Sequence, residues 1–199
     1  MELFLSICLG IGLSAACGFR VFIPMLVMSL AAHSGQLELS PTFVWLGSTP
    51  ALLVLSVATL MELTAFYIPV VDNLLDGIAI PAATVAGVVV TASCVTDVSP
   101  LLQWSLATIA GGGMAAGVQL STTKLRLAST ATTGGLANPI LATMEAGSAL
   151  LMSALAVIVP VLAALMAVVG VVLMGIAAAW VGSKLARLIQ RLRGKTPSS

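Results

Sequence analysis

From Ala146 to Gly182 the chain is apolar, with no loop signal except Pro160, and this run exceeds the roughly 20 residues a helix needs to cross a bilayer. Either Pro160 kinks one long tilted helix, or a very tight hairpin makes two. Similar runs precede it. The first, Leu3 to Ala32, ends at the polar stretch His33 to Ser40. A second helix is expected from about Pro50 to Val71, a third from Ile78 to Thr96, and a fourth from Leu101 to about Thr122. Ser40 before Pro41, Thr49 before Pro50 and Ser99 before Pro100 each set an N-cap residue ahead of a proline suited to the first helical turn.

Composition closes the other options. Of 199 residues, 59% are hydrophobic and 8% are Asp, Glu, Lys or Arg, where a soluble domain carries roughly 25% charged residues. Too little polar surface remains to cover a water-soluble particle, and no soluble catalytic domain fits beside the apolar runs. The expected fold is all-α: a polytopic transmembrane helix bundle of five to six crossings, one domain over residues 1–183, with a tail at 184–199. The lipid bilayer is its first partner.

The formal net charge of +1 argues against a nucleic-acid partner, which needs clustered cations over a broad face. Cys8, Cys17 and Cys94 lie in apolar stretches without CxxC spacing and read as small buried hydrophobes, so neither a metal site nor a cofactor is expected. The only histidine, His33, falls in a loop, and no HExxH or GxSxG pattern is present. The sequence therefore points away from an enzyme.

Charges inside apolar runs carry the functional expectation. Arg20 stands in the middle of the first run, where a charge costs several kcal/mol unless it faces a partner or water. Its expected partner is Glu62, the only acid inside the second helix, with Tyr67 just beyond on a lining toward one mouth. Asp72, Asn73 and Asp76 follow. On a helix the two carboxylates share a face that attracts a cation; the plainer reading is that one of them caps the third helix.

The stretch Ser121 to Glu145 is too polar to face lipid. It reads as a re-entrant or broken helix, or as an ordinary surface loop. Lys124, Arg126, Asn138 and Glu145 flank its Gly134 and Gly135, and Asn138 with Pro139 suits a helix N-terminus that caps itself or receives an anion.

Three features concern organisation. Gly12, Ala15, Ala16 and Gly112 or Gly113, Ala115, Ala116 echo each other, suggesting repeat units 1–97 and 98–183. With three crossings in the first unit the second is inverted, as in many secondary transporters. Gly113 and Gly117 form a GxxxG step for close helix approach, a second copy of the chain included. The tail alternates cations with Leu185, Leu188, Ile189 and Leu192 as a basic amphipathic helix lying along an anionic membrane surface. The Lys and Arg bias places it in the cytoplasm, with Lys124 and Arg126 on the same side and the N-terminus inside as well. The expected localisation is the inner (cytoplasmic) membrane.

At Gly12 to Pro24 (GLSAACGFRVFIP), Glu62 to Pro81 (ELTAFYIPVVDNLLDGIAIP) and Thr132 to Pro139 (TTGGLANP) the chain resembles a bacterial family of small multi-pass membrane proteins, domain of unknown function family 4126. The resemblance covers most of the chain and implies a membrane protein, with no catalytic residue, cofactor or substrate to carry over. The residues themselves lead to a small transporter or channel for an ion or small charged solute, with Arg20 and Glu62 on the pathway. A non-transporting scaffold or assembly protein is the alternative, and translocation of a lipid headgroup a third reading.

Overall fold

The computed structural model describes residues 2–65, 68–134 and 136–193, and in it every apolar run is helical. The helices are α1 (Glu2–Cys17), α2 (Phe22–His33), α3 (Thr49–Ala65), α4 (Pro69–Cys94), α5 (Pro100–Leu106), α6 (Gly113–Thr133), α7 (Asn138–Ile158) and α8 (Pro160–Arg193). A 3-10 helix, Pro41–Gly47, precedes α3, and a π segment, Ala107–Gly112, joins α5 to α6 in one span of 34 residues. Among the described residues four helices are long and apolar enough to cross a membrane, or five if the 3-10 helix and α3, bent by 67°, make one span. The chain is an all-α, multi-pass membrane protein.

The first apolar run is not one helix. It breaks after Cys17 and restarts at Phe22, and contacts with α4 show that the chain doubles back there. Ser14 Oγ donates to the Gly87 carbonyl at 2.9 Å, and Thr91 Oγ1 to the Gly10 carbonyl at 3.2 Å, so α1 and α4 are antiparallel. Met28 of α2 then meets Cys94, with Sδ and Sγ 3.9 Å apart, back at the end from which α1 set out. α1 and α2 thus form a re-entrant hairpin whose tip, Gly18 to Val21, ends part-way down α4. Gly18 sits so close to α6 that a Cβ would lie 2.6 Å from the Ala115 carbonyl oxygen.

Other boundaries move for local reasons. The second helix ends at Ala65 and the third begins at Pro69, so the cluster at Asp72, Asn73, Asp76 and Gly77 lies within α4 rather than between helices. Proline disfavours the helical region for the residue before it, and Ile68 is extended at φ −102°, ψ 108°. Pro69 therefore sets the helix start, and neither aspartate caps it. The polar stretch from Ser121 is neither broken helix nor long loop. It continues α6 to Thr133, turns through Gly134 in the left-handed region (φ 64°), and re-enters helix at Asn138.

The run after Ala146 resolves into a hairpin. Arg20 at the α1–α2 tip bonds the Ala142 carbonyl near the start of α7, whereas Gly12 packs between Ala156 and Ala163. Further along, Ala15 clusters with Val118 and Ala167. α7 is antiparallel to α1 and α8 parallel to it, so the chain reverses at Val159 and Pro160. Counting the re-entrant hairpin, the first 97 residues make an even number of passes. α1 and α5 accordingly start at the same end, and the inverted relation that three crossings would have required does not arise. The N-terminus lies opposite the end of α8, not beside it.

Exposed aromatic and basic residues band the bundle. Trp45 and Trp104 are exposed at the end holding the His33–Ser40 turn, and Phe43 and Trp104 pack with ring centroids 6.2 Å apart. Lys124 is exposed further down the same continuous span as Trp104, about 30 Å away at 1.5 Å per residue. That separation matches a hydrocarbon core of about 30 Å. Exposed Trp180 falls at nearly the level of Lys124, since Val171 packs on Gly117 and α8 runs parallel to α6. Tryptophan at both rims, with a lysine at one of them, is what a membrane interface selects. Past Trp180, α8 continues unbroken to Arg193, so the tail projects from the span and has no break at which to turn along the surface; residues 194–199 lie outside the described ones.

Gly113 and Gly117 do not make one seam. Gly117 faces Val171 of α8, while Gly113 has nothing within 4 Å of a Cβ position. Close approach happens instead where Gly87 of α4 meets Gly111 of the π segment.

Candidate functional site

The re-entrant tip carries a buried charge into the bundle. Arg20 is 2% exposed, and Arg126 of α6 is 3% exposed. Both converge on Glu145 of α7. Arg20 Nη2 lies 3.1 Å from Glu145 Oε2, while Arg126 binds it as a fork, with Nη2 2.7 Å from Oε2 and Nε 3.0 Å from Oε1. Arg20 Nη2 also donates to the Ala142 carbonyl at 3.0 Å. One carboxylate thus joins the hairpin tip, α6 and α7 through charge-assisted bonds, the stronger class of hydrogen bond.

Arg20 therefore makes its close ion pair with Glu145 rather than with Glu62, although its charge still acts on the Glu62 carboxylate. Glu62, near the end of α3, takes a different role. Its Oε1 accepts the Val21 amide at 2.8 Å and its Oε2 the Phe22 amide at 3.0 Å. These are first-turn amides of α2, which have no partner within their own helix, and a carboxylate there also meets the positive end of the helix dipole. The hairpin tip is so held from both sides, by Glu62 on its backbone and by Glu145 on its side chain. Replacing Glu62 with Gln puts an amide NH2 against one of those N–H groups and removes the charge. Glu62→Gln is expected to destabilise the protein by about 2 kcal/mol, the range for a hydrogen bond to a charged group, read from denaturation in detergent.

Beside the tip lies a cavity of about 470 Å³, within the size range of small-molecule sites. Arg20, Glu62, Gln119, Arg126 and Glu145 supply its polar wall; the rest is apolar, from the tip, α3 and α4. Among the described residues no three His, Cys, Asp or Glu side chains come together as a metal site.

The other sequence candidates scatter. Lys124 is exposed on the outer face of α6, one turn from the cavity wall. Gly134 forms the turn after α6, and Asn138 opens α7, its side-chain amide donating to Thr130 Oγ1 at 3.2 Å. That bond ties the two helix ends and does not reach the cavity. Tyr67 and Gly135 lie outside the described residues, as do the side chains of Asp72, Asn73 and Asp76. Sequence reasoning missed the amides of Val21 and Phe22, the Ala142 carbonyl and Gln119. Pro24, in the first turn of α2, was the one available signal that a helix starts at the tip.

Residues 7–181 match the model of a protein family described as a domain of unknown function, DUF4126. The chain belongs to that family. No curated protein and no solved structure matches it. The family description assigns no activity or ligand, so the site's chemistry stands on its geometry.

Proposed function

We propose that this protein is a carrier-type membrane transporter for a charged solute, with the Arg20, Arg126 and Glu145 cluster as its binding centre. One observation carries the reading: a non-helical tip at membrane depth, bearing a buried arginine, opens on a cavity. Interrupted backbone inside a bilayer is tolerated where it lines a cavity or is buried in protein, and transporters place their sites at such interrupted helices. The tip is held by side chains from α3, α6 and α7, so a solute competing for them shifts the hairpin. That coupling suits a carrier better than an open channel, and nothing in the reading calls for a catalytic residue.

The sidedness follows from charge. Lys124, Arg126 and the basic tail gather at one end, which the positive-inside rule assigns to the cytoplasm of a cytoplasmic membrane. The N-terminus and the His33–Ser40 turn then lie outside.

A scaffold role is favoured by a separate observation: the two arginines are already paired within the fold. Proteoliposome flux of inorganic phosphate, a short-chain carboxylate and a fluorescent-acyl anionic lipid separates the two. Arg20→Gln is expected to insert normally and to lower the flux of the transported species at least tenfold. If Arg20→Gln leaves every flux at the wild-type level, the carrier reading fails. Should Arg20→Gln and Glu145→Gln each destabilise while the double variant recovers stability, the pair is a structural lock.

A further inference from the structure

We infer that the apolar part of this cavity binds a neutral lipid alcohol, its hydroxyl on the Gln119 carboxamide and its chains leaving sideways between α3 and α4. The inference goes beyond the transporter reading and does not depend on it, because it concerns a polar group that takes no part in the ionic cluster.

Gln119 is the first ground. It lines the cavity and is 9% exposed, yet among the described residues its side chain makes one hydrogen bond, a long one of 3.4 Å from Nε2 to Thr123 Oγ1. A carboxamide has two N–H donors and an acceptor oxygen, so Gln119 keeps both a donor and an acceptor to offer. Buried polar groups are ordinarily hydrogen-bonded, and a hydroxyl, which donates and accepts at once, answers both needs. The charged groups of the wall differ. Arg20, Arg126 and Glu145 hold one another, and Glu62 holds the Val21 and Phe22 amides. A ligand reaches those groups by displacing bonds of the fold; it reaches Gln119 without displacing any.

The second ground is the wall. Ten of the fifteen lining residues are apolar, among them Phe22, Ala58, Met61, Leu75, Ile78 and Ala79. An apolar surface with a sparse set of polar groups suits a largely hydrocarbon ligand oriented by a single polar contact.

The third ground is the way in. α3 packs on α2 and the 3-10 helix, while α4 packs on α1, the π segment and α6; among the described residues no packed seam closes α3 against α4. Met61 and Ile78 flank the resulting cleft and are 66% and 58% exposed. Thr49, Cys94 and Trp104 all stand at the end holding the His33–Ser40 turn, where Gln103 Nε2 donates to Ser40 Oγ and to the Ala92 and Val95 carbonyls. At 1.5 Å per residue, Met61 lies about 18 Å along α3 from Thr49, Ile78 about 24 Å along α4 from Cys94, and Gln119 about 22 Å along its span from Trp104. Cleft and amide thus share one level inside a hydrocarbon core of about 30 Å. A ligand arriving there comes from the side, out of lipid. Bringing a charge to that level costs far more than bringing a hydroxyl, so the ligand is neutral.

The test uses the full chain in phosphatidylcholine proteoliposomes doped with a diacylglycerol carrying a photoreactive acyl chain. Two matched probes carry the same chain: the methyl ether of that diacylglycerol, which cannot donate a hydrogen bond, and a phosphatidylcholine, which carries charge. Peptide mapping is expected to show Met61, Leu75 and Ile78 labelled at least fivefold more by the alcohol than by either matched probe, with excess unlabelled diacylglycerol suppressing the signal. Gln119→Leu removes the amide at nearly unchanged size and is expected to bring labelling by the alcohol down to that of the ether. Ala79→Trp fills the cavity with Gln119 intact and is expected to abolish the preference, and in both variants labelling of the outer α8 surface stays unchanged. Equal labelling by all three probes in the wild-type protein means ordinary boundary lipid and overturns the inference. It is overturned equally by a preference that the ether shares, or by one that survives Gln119→Leu or Ala79→Trp. A preference for the alcohol without flux of any solute keeps this site and removes the carrier; flux without that preference keeps the carrier and removes this ligand.

Discussion

Glu145→Gln is expected to cost this protein about 3–5 kcal/mol, the penalty for breaking a buried ion pair from one side. Glu145 Oε2 is shared by Arg20 and Arg126, at 3.1 Å and 2.7 Å. Removing its charge takes from two guanidiniums, both about 97% or more buried, the carboxylate they share. Arg126→Met has a smaller cost, because Arg20 keeps Glu145 and the thioether fills the space of the lost stem. The stability order expected from denaturation in detergent is wild type, then Arg126→Met, then Glu145→Gln. The combined variant is expected to lose less than the sum of the two single losses, since both changes remove the same Arg126–Glu145 fork. Additive losses would show that this fork contributes nothing to stability.

The residues of this cluster were legible in the sequence, and their pairing was not. A charge amid apolar residues announces itself, and Arg20, Glu62, Arg126 and Glu145 all line the one cavity. Partner choice, however, depends on helix direction, and direction depends on a break that composition hides. Gly18, Phe19, Arg20 and Val21 interrupt the helix without adding the polar run that marks a loop, since the tip is covered by α3, α6 and α7 and not by water. With α1 and α2 read as one span, Glu62 is the nearest acid; with the chain doubling back, Glu145 is brought to Arg20 and Glu62 to the amides behind it. Asp72 to Gly77 misled in the opposite sense. A polar cluster there suggests a turn, yet α4 runs through it, because Pro69 already supplies the start. The turn at Val159 left only Pro160 as a trace, and one proline fits a kink as well as a reversal. What decided it was the matching of small residues, Gly12 against both Ala156 and Ala163, a pattern visible only once the helices are placed.

Gly87→Ala is expected to cost as much, through packing alone. A Cβ at Gly87 would sit 2.6 Å from the Ala115 Cβ and 2.7 Å from the Gly111 carbonyl oxygen. Overpacking in a well-filled core costs about 1–3 kcal/mol where side chains can give way. Here one obstacle is backbone and the other is a methyl fixed to it, so α4 itself has to move, and the cost belongs at or above the top of that range. The Gly87 carbonyl also accepts the Ser14 hydroxyl, and Ser14 lies 2.7 Å from Thr91 Oγ1, so displacement of α4 loosens its polar contact with α1. Gly113→Ala is the control: its Cβ meets nothing within 4 Å, and the gain in helix propensity, up to about 1 kcal/mol, makes it neutral or stabilising. The comparison reads on the cavity as well, because α4 carries Ala79 and Ala82 on its wall. In detergent, Gly87→Ala is expected to unfold well before Gly113→Ala. If the two variants unfold together, the α4 and π-segment seam is not the tight contact that sets the hairpin tip against its cavity.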